Sequence, residues 1–266
     1  MSLTGVRVLV TGATSGLGEA MAEALLIAGA TVAVSARPTP RLAAAVRRWA
    51  ERGLAAEALA MDVREPESVA AGARTLAGRW DRIDLVVNNA GIGTRTVNPH
   101  YRLRPIPFFE VTPEGFSDVI ATNLTGYFLV ARSFAPLLVE QGRGGFVNIS
   151  VNQATMRRPG FVPYGPSRAG SEALSAIMTE DLRPYGIDVN VLLPGGGAAT
   201  GMIPDPETDP GRDQLLPPQV MGPPVTFLAS SEARGVTGER IVATEFGQWL
   251  AALRGEPLTG QCRAAE

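Results

Sequence analysis

The chain has 266 residues, with 24 Lys plus Arg, 26 Asp plus Glu and a formal net charge of −2. All 24 cations are arginine, which excludes a Schiff-base lysine and a Gly-Lys-Ser/Thr phosphate loop. The near-neutral balance gives no electrostatic footprint for nucleic acid or an anionic membrane, and the single cysteine, Cys262, excludes an internal disulfide or a cysteine-rich metal site.

Arginine without lysine, together with abundant Ala, 30 Gly and 21 Pro, fits a GC-rich genome. Hydrophobic residues at 45% and charged residues at 19% are ordinary for a globular chain. No apolar run approaches the ~18 residues of a membrane span. The first five residues lead into a strand pattern with no signal peptide, so the expectation is a reduced, soluble, cytoplasmic protein.

Short apolar runs alternate with longer amphipathic ones. Strands are expected at residues 6–10, 31–35, 56–61, 83–87, 146–150, 188–193 and 240–244. Helices are expected at 16–28, 42–52, 65–80, 114–141, 164–185 and 218–230. Parallel neighbours need crossover helices, so this alternation predicts an α/β fold with a doubly wound parallel sheet. One domain is expected over residues 1–250, with 251–266 as a loose tail. Two polar, Pro-containing stretches break the rhythm, at about 94–110 and 195–218. Both leave the carboxyl edge of the sheet, where ligands of open α/β folds bind, and read as walls of a substrate pocket.

The run Thr11-Gly12-Ala13-Thr14-Ser15-Gly16-Leu17-Gly18 joins the first strand to the first helix. Gly12 suits a tight turn, Gly16 a close approach of backbone to a pyrophosphate, and Gly18 close helix–strand packing; Ser15 and Leu17 complete the turn. Phosphates would sit at the helix N-terminus, where free N–H groups and the dipole favour an anion. The second strand ends Ser35-Ala36-Arg37, where a site for NAD would carry a carboxylate for the ribose 2′-OH. A guanidinium at Arg37 suits a 2′-phosphate instead, which favours NADP(H) over NAD(H).

Further along stand Asp62-Val63, Asn88-Asn89-Ala90-Gly91, Asn123, Tyr164, Pro194-Gly195 and Val236-Thr237-Gly238. With the glycine turn, this set resembles the short-chain dehydrogenase/reductase family over about residues 4–248. The resemblance implies a seven-stranded Rossmann-type sheet, a nicotinamide cofactor and a homotetramer or homodimer. It also implies that Asp62 and Val63 contact the adenine, and that Asn89, Ala90 and Gly91 run along the ribose and pyrophosphate. Pro194, Gly195 and Thr200 would border the nicotinamide.

The family's chemistry uses a serine, a tyrosine four residues before a lysine, and an asparagine. The resemblance makes Tyr164 the acid/base and Asn123 the asparagine. Two positions depart from the pattern. Arg168 stands in the lysine slot; it keeps the charge and can donate to a ribose diol, but it cannot relay a proton. Val151 stands thirteen residues before Tyr164, in the serine slot. Ser150 is the adjacent hydroxyl, though neighbouring strand residues face opposite ways, and Asn152, Gln153 or Thr155 would reach the site if the strand end turns early. Codon bias accounts for Arg168 but not for Val151.

His100, Tyr101, Arg102 and Arg104 lie in the first loop, and Arg157 and Arg158 follow the fifth strand. As pocket residues they would suit a small anionic or polyoxygenated substrate; as a solvated basic loop they would do nothing specific. No metal is expected at His100, which has no His or Cys partner nearby. The functional expectation is an NADP(H)-preferring oxidoreductase for a carbonyl/alcohol pair. The alternative keeps the cofactor fold without ordinary redox turnover, as a lyase or cyclase using Tyr164 as proton donor, or as a regulatory or scaffold subunit.

Overall fold

The structure, a computed structural model, describes residues 1–203 and 212–256. Part of the second expected loop (204–211) and the end of the expected tail (257–266, with Cys262) lie outside the described residues. The strands are β1 (Arg7–Thr11), β2 (Thr31–Ala36), β3 (Ala56–Ala60), β4 (Leu85–Asn88), β5 (Gly144–Ile149), β6 (Ile187–Leu193) and β7 (Arg240–Val242). They form one parallel sheet in the order β3-β2-β1-β4-β5-β6-β7, the doubly wound Rossmann-type arrangement expected. The helices are α1 (Gly16–Ile27), α2 (Pro40–Ala50), α3 (Pro66–Arg79), α4 (Pro113–Ile120), α5 (Gly126–Gln141), α6 (Gln153–Met156), α7 (Tyr164–Leu182), α8 (Gly222–Leu228) and α9 (Phe246–Arg254).

Strand side chains alternate between two apolar layers, as the pleat requires. Val8, Val10, Val32, Val34 and Val147 pack with α1, α2 and α8, while Leu9, Ala33, Val86, Phe146 and Val189 pack with α3, α5 and α7. Both faces are covered, so the strands read as continuous apolar runs rather than as alternating ones. Helix α7 lies close to the sheet through small polar residues four apart: Ser167, Ser171, Ser175 and Thr179 are all buried. Each hydroxyl donates to a carbonyl three or four residues earlier, so none is stranded in the core.

The chain runs outward from β1 to β3, then returns to β4 on the other side of β1. That reversal opens a crevice beyond the carboxyl ends of β1 and β4, the place where such sheets bind ligands. The loops leaving the two strands are stitched together. Thr11 Oγ1 donates to the Val87 carbonyl at 3.2 Å and accepts from the amides of Asn89 and Ala90 at 2.9 and 3.0 Å.

Three elements differ from expectation. The long helix expected at 114–141 is interrupted: α4 and α5 are joined by a π-helical turn, Ala121–Thr125, that contains Asn123. Such a widened turn preserves the apolar periodicity on either side, so the sequence pattern passes over it. A helix, α9, follows β7 and runs into the stretch expected as tail. Phe246 and Trp249 stack on each other and pack on Phe227 of α8, which is why 251–254 stay helical. The 94–110 segment is not structureless: Thr94–Thr96 is a 3-10 turn. Beyond it, Asn98 holds the loop by accepting from the His100 amide and donating to the Arg104 carbonyl.

Candidate active site

The glycine turn is shaped by contact with its neighbours. Gly12 and Gly16 have positive φ, 64° and 59°. A Cβ on Gly12 would lie 2.7 Å from Ala90 Cα, and one on Gly18 would lie 2.3 Å from Asn89 Nδ2 and 2.4 Å from the Gly12 carbonyl. Asn89 fills that space, donating to the carbonyls of Thr11 and Gly12 at 2.8 and 3.2 Å. Its amide therefore holds the turn itself. Ser15 caps α1 in extended conformation with no side-chain bond to the helix amides, so the first amides of the helix are not taken up by it.

Beside that N-terminus a cleft of about 480 Å³ is lined by Gly16, Glu23, Arg95, Thr200, Gly201 and Gln219. Thr200 lies directly against Gly16, where an added Cβ would come within 3.1 Å of Thr200 Cγ2. Arg95 crosses from the first loop and donates to the Gly201 carbonyl at 3.0 Å. The loops after β4 and β6 thus meet beside the start of α1. Leu17 packs into the core behind the turn. Gly195, with φ 99°, accepts from Asn152 Nδ2 at 2.9 Å, and Pro194 is buried.

After β3, Asp62 is held by Arg64, whose Nη2 and Nε donate at 2.7 and 3.1 Å. That hydrogen bond holds the Asp62 carboxyl below the usual range, against the opposing effect of burial, with Arg37 adding a weaker pull of the same sign. Arg37 is exposed at the end of β2, and the buried Ser35 hydroxyl two residues before it has no hydrogen-bond partner among the described residues. Val63 is buried against Gly126, where a Cβ would come within 2.9 Å of Val63 Cγ2.

Tyr164 opens α7 and is half-buried. Asn123, fully buried in the π-turn, locks this helix to the loop after β4. Its side chain accepts from the Ile92 amide at 2.8 Å and donates to the Ile92 carbonyl at 2.9 Å and to Ser167 Oγ at 3.1 Å. Ser167 in turn donates to the Tyr164 carbonyl at 2.7 Å. Asn123 thereby fixes where Tyr164 starts.

Arg168 is buried to 3% exposure, with its guanidinium 5.4 Å from the ring centres of both Tyr164 and Tyr127. Burial opposes its charge, but Tyr127 and Tyr164 outweigh burial and leave its pKa raised. It is a fixed cation beside the phenol of Tyr164. A Cβ on Gly91 would sit 2.5 Å from Arg168 Nη2, so the glycine leaves room for the guanidinium.

The expected serine substitutes divide. The Ser150 hydroxyl donates to Glu172 at 2.6 Å, so its proton is committed to a partly buried carboxylate on α7 rather than to the crevice. Neighbouring strand-end residues face opposite ways, and that is the physical reason. Val151 is half-buried, with its carbonyl accepting from Arg240 Nη2 at 2.8 Å. Gln153 and Thr155 lie on the short helix α6.

The first loop meets the segment that follows β5. Tyr101 meets Phe161 edge-on at 5.5 Å, Arg158 lies over the same ring at 5.1 Å, and Gly160 abuts Pro105. His100 and Arg102 are exposed on this loop. Among the described residues no cluster of three His, Cys, Asp or Glu gathers. Four residues that shape the site escape the sequence reading: Tyr127, Glu172, Arg240 and Arg95. Tyr127 lies four residues after Asn123 inside an apolar run, so it reads as core. Glu172 and Arg240 are distant in sequence and meet only in the fold.

A family model described as short chain dehydrogenase matches residues 6–209. Gluconate 5-dehydrogenase of Gluconobacter oxydans (strain 621H) is 32% identical over 194 residues, which is 73% of this chain and 72% of that protein. The crystal structure of a gluconate 5-dehydrogenase from Burkholderia cenocepacia J2315 in complex with NADP and tartrate superimposes with TM-score 0.81 at 28% identity, over 93% of this chain and 97% of that one. The 3-ketoacyl-(acyl-carrier-protein) reductase of Brucella melitensis, complexed with NADH, gives TM-score 0.77 at 28% identity over 91% and 97% of the two chains. The fold, the glycine turn and these matches agree: the chain belongs to the short-chain dehydrogenase/reductase family and is an NAD(P)-dependent oxidoreductase.

Proposed function

We propose that the protein is an NADP(H)-preferring reductase or dehydrogenase that interconverts the carbonyl and alcohol of a small anionic or polyoxygenated molecule. The observation that carries this reading is the Tyr164–Arg168 pair, a half-buried phenol at a helix start with a buried guanidinium 5.4 Å from its ring. A free phenol has a pKa near 10, so it needs a neighbouring cation to give or take a proton readily at neutral pH. Arg168 supplies the charge without titrating. Tyr164 would hold the proton that passes to or from the carbonyl oxygen, and Asn123 would fix the Tyr164 backbone.

The residues present suit a nicotinamide dinucleotide. The α1 N-terminus and Ser15 would take the pyrophosphate, Thr200 its flank, and Asp62 and Val63 the adenine. Arg37 and the unpartnered Ser35 hydroxyl stand at the ribose end, and a guanidinium there favours a 2′-phosphate. When bound, the nicotinamide supplies or accepts the hydride. With Val151 in the serine slot, the second donor to the carbonyl oxygen would come from Asn152 or a residue of α6.

Arg158 and Arg102 bring positive charge, and His100 an imidazole, to the first loop and the segment after β5. Their match to a carboxylate or polyol is consistent with relatives named for gluconate and with tartrate in the complex named above. The reading includes self-association. Phe128 of α5 and Ile177 of α7 are 47% and 60% exposed, surfaces that a second copy would cover, in a cytoplasmic enzyme. The test is NADPH oxidation against a panel of keto acids, keto sugars and simple ketones, with NADP⁺ reduction against the matching alcohols. Turnover on the polyoxygenated members supports the reading; confirmed cofactor binding with no turnover on any member moves weight to a non-redox role.

A further inference from the structure

Arg168 is held in a way that a lysine could not be. Nη1 donates to the Tyr127 hydroxyl oxygen at 2.7 Å and to the Ile149 carbonyl at 2.9 Å. The Tyr127 hydroxyl donates its own proton to the same Ile149 carbonyl at 3.2 Å, so its lone pairs are turned toward Arg168. Tyr127 is 2% exposed and its ring also lies against the guanidinium. One corner of the planar fork is thereby anchored to protein. Nη2 is set against Gly91, on the loop after β4 that borders the crevice. Nε–H is buried with no hydrogen-bond partner among the described residues. A buried donor left unmade is costly, so an acceptor brought against this guanidinium would relieve it.

We infer that Tyr127 is a positioning residue that fixes the Arg168 guanidinium, so that the rest of its donor fork holds the hydroxyls of the cofactor ribose. This rests on the reading that Tyr164 and Arg168 serve a bound nicotinamide dinucleotide. It separates two accounts of the missing lysine. If arginine were neutral drift, lysine would work as well at position 168. With Tyr127 in place, the arginine is a built part: an ammonium cannot satisfy the Tyr127 oxygen and the Ile149 carbonyl from one corner while offering a planar edge to a diol.

The experiment is a double-mutant cycle read in cofactor affinity. The NADPH dissociation constant is measured by calorimetry for the wild-type protein, Tyr127→Phe, Arg168→Lys and the double variant, with thermal unfolding of each. Tyr127→Phe and Arg168→Lys should each weaken NADPH by about tenfold. The double variant should bind no more weakly than Arg168→Lys alone, because without a guanidinium Tyr127 has nothing to position. A merely structural Tyr127 would lower the melting temperature equally in both backgrounds and leave the dissociation constant alone, and that result overturns the proposal. So does simple additivity, or an Arg168→Lys variant with wild-type affinity. If Tyr127→Phe does not fold, the wild-type protein with ¹⁵N-labelled arginine decides. The sheltered Arg168 Nε–H signal should move on NADP⁺ addition, and a signal that stays in place refutes the idea. A wild-type protein that binds neither NADPH nor NADH overturns the functional reading itself and the inference with it. Wild-type binding with additive variants removes the inference alone.

Discussion

Arg240, the first residue of β7, donates from Nη2 to the Val151 carbonyl at 2.8 Å, while its Nε sits 3.1 Å from both carboxylate oxygens of Glu172. Glu172 also accepts from Ser150 at 2.6 Å. One ion pair between α7 and β7 therefore sets the backbone at the position where the family carries its serine.

Replacing Arg240 with Met should strand the Glu172 carboxylate and release the Val151 carbonyl. The pair is not fully buried, with side-chain exposures of 32% and 19%, so the cost is discounted from that of a sealed pair to about 1–3 kcal/mol. Chemical denaturation should show the loss, and Glu172→Gln, which keeps an acceptor, should lose less.

Val151→Ser restores a hydroxyl at the serine slot without disturbing the Arg240 bond, which goes to the backbone. Activity on generic ketones should rise, by up to about a hundredfold if the oxygen lacks a donor in the wild type. A folded variant that loses its activity would show that Val151 belongs to a specialised pocket.

Arg37→Ala should weaken NADPH by about tenfold or more and leave NADH nearly unchanged, since the guanidinium is exposed and its partner would be the 2′-phosphate. Equal losses for both cofactors would assign Arg37 to the ribose or adenine instead.

Asp188 on β6 gives a prediction about stability. Desolvation raises its carboxyl pKa, offset in part by the bond it accepts from the Gly235 amide. A raised folded-state value means that ionisation works against folding, so this penalty grows as pH rises through the folded pKa. Asp188→Asn keeps an acceptor for Gly235 and should raise the melting temperature at pH 7. The gain should vanish at acid pH, below about 3.9, where the wild-type carboxyl is protonated in both states.

The fold was legible because its signals are local and repeated: apolar strands, amphipathic helices, and glycines at 12, 16 and 18 that the packing does require. Asn123, Tyr164 and Arg168 were legible as a constellation, and they do converge through Ser167, Ile92 and the Tyr164 ring. Ser150 lies next to the serine slot, but neighbouring strand residues face opposite ways, and its hydroxyl goes to Glu172. Asn89, expected along the ribose, uses its amide on the glycine turn. Tyr127 was hidden for a different reason. A tyrosine inside an apolar helix is ordinarily core, and only the fold shows its hydroxyl meeting Arg168.

The most direct test of the central claim compares wild-type protein with Tyr164→Phe, measuring NADPH oxidation on the best keto substrate and NADPH affinity in parallel. The account predicts that the variant binds NADPH within a few-fold of wild type while turnover falls by at least about a hundredfold, the share of a positioned proton donor. A folded Tyr164→Phe variant that oxidises NADPH at the wild-type rate would contradict it.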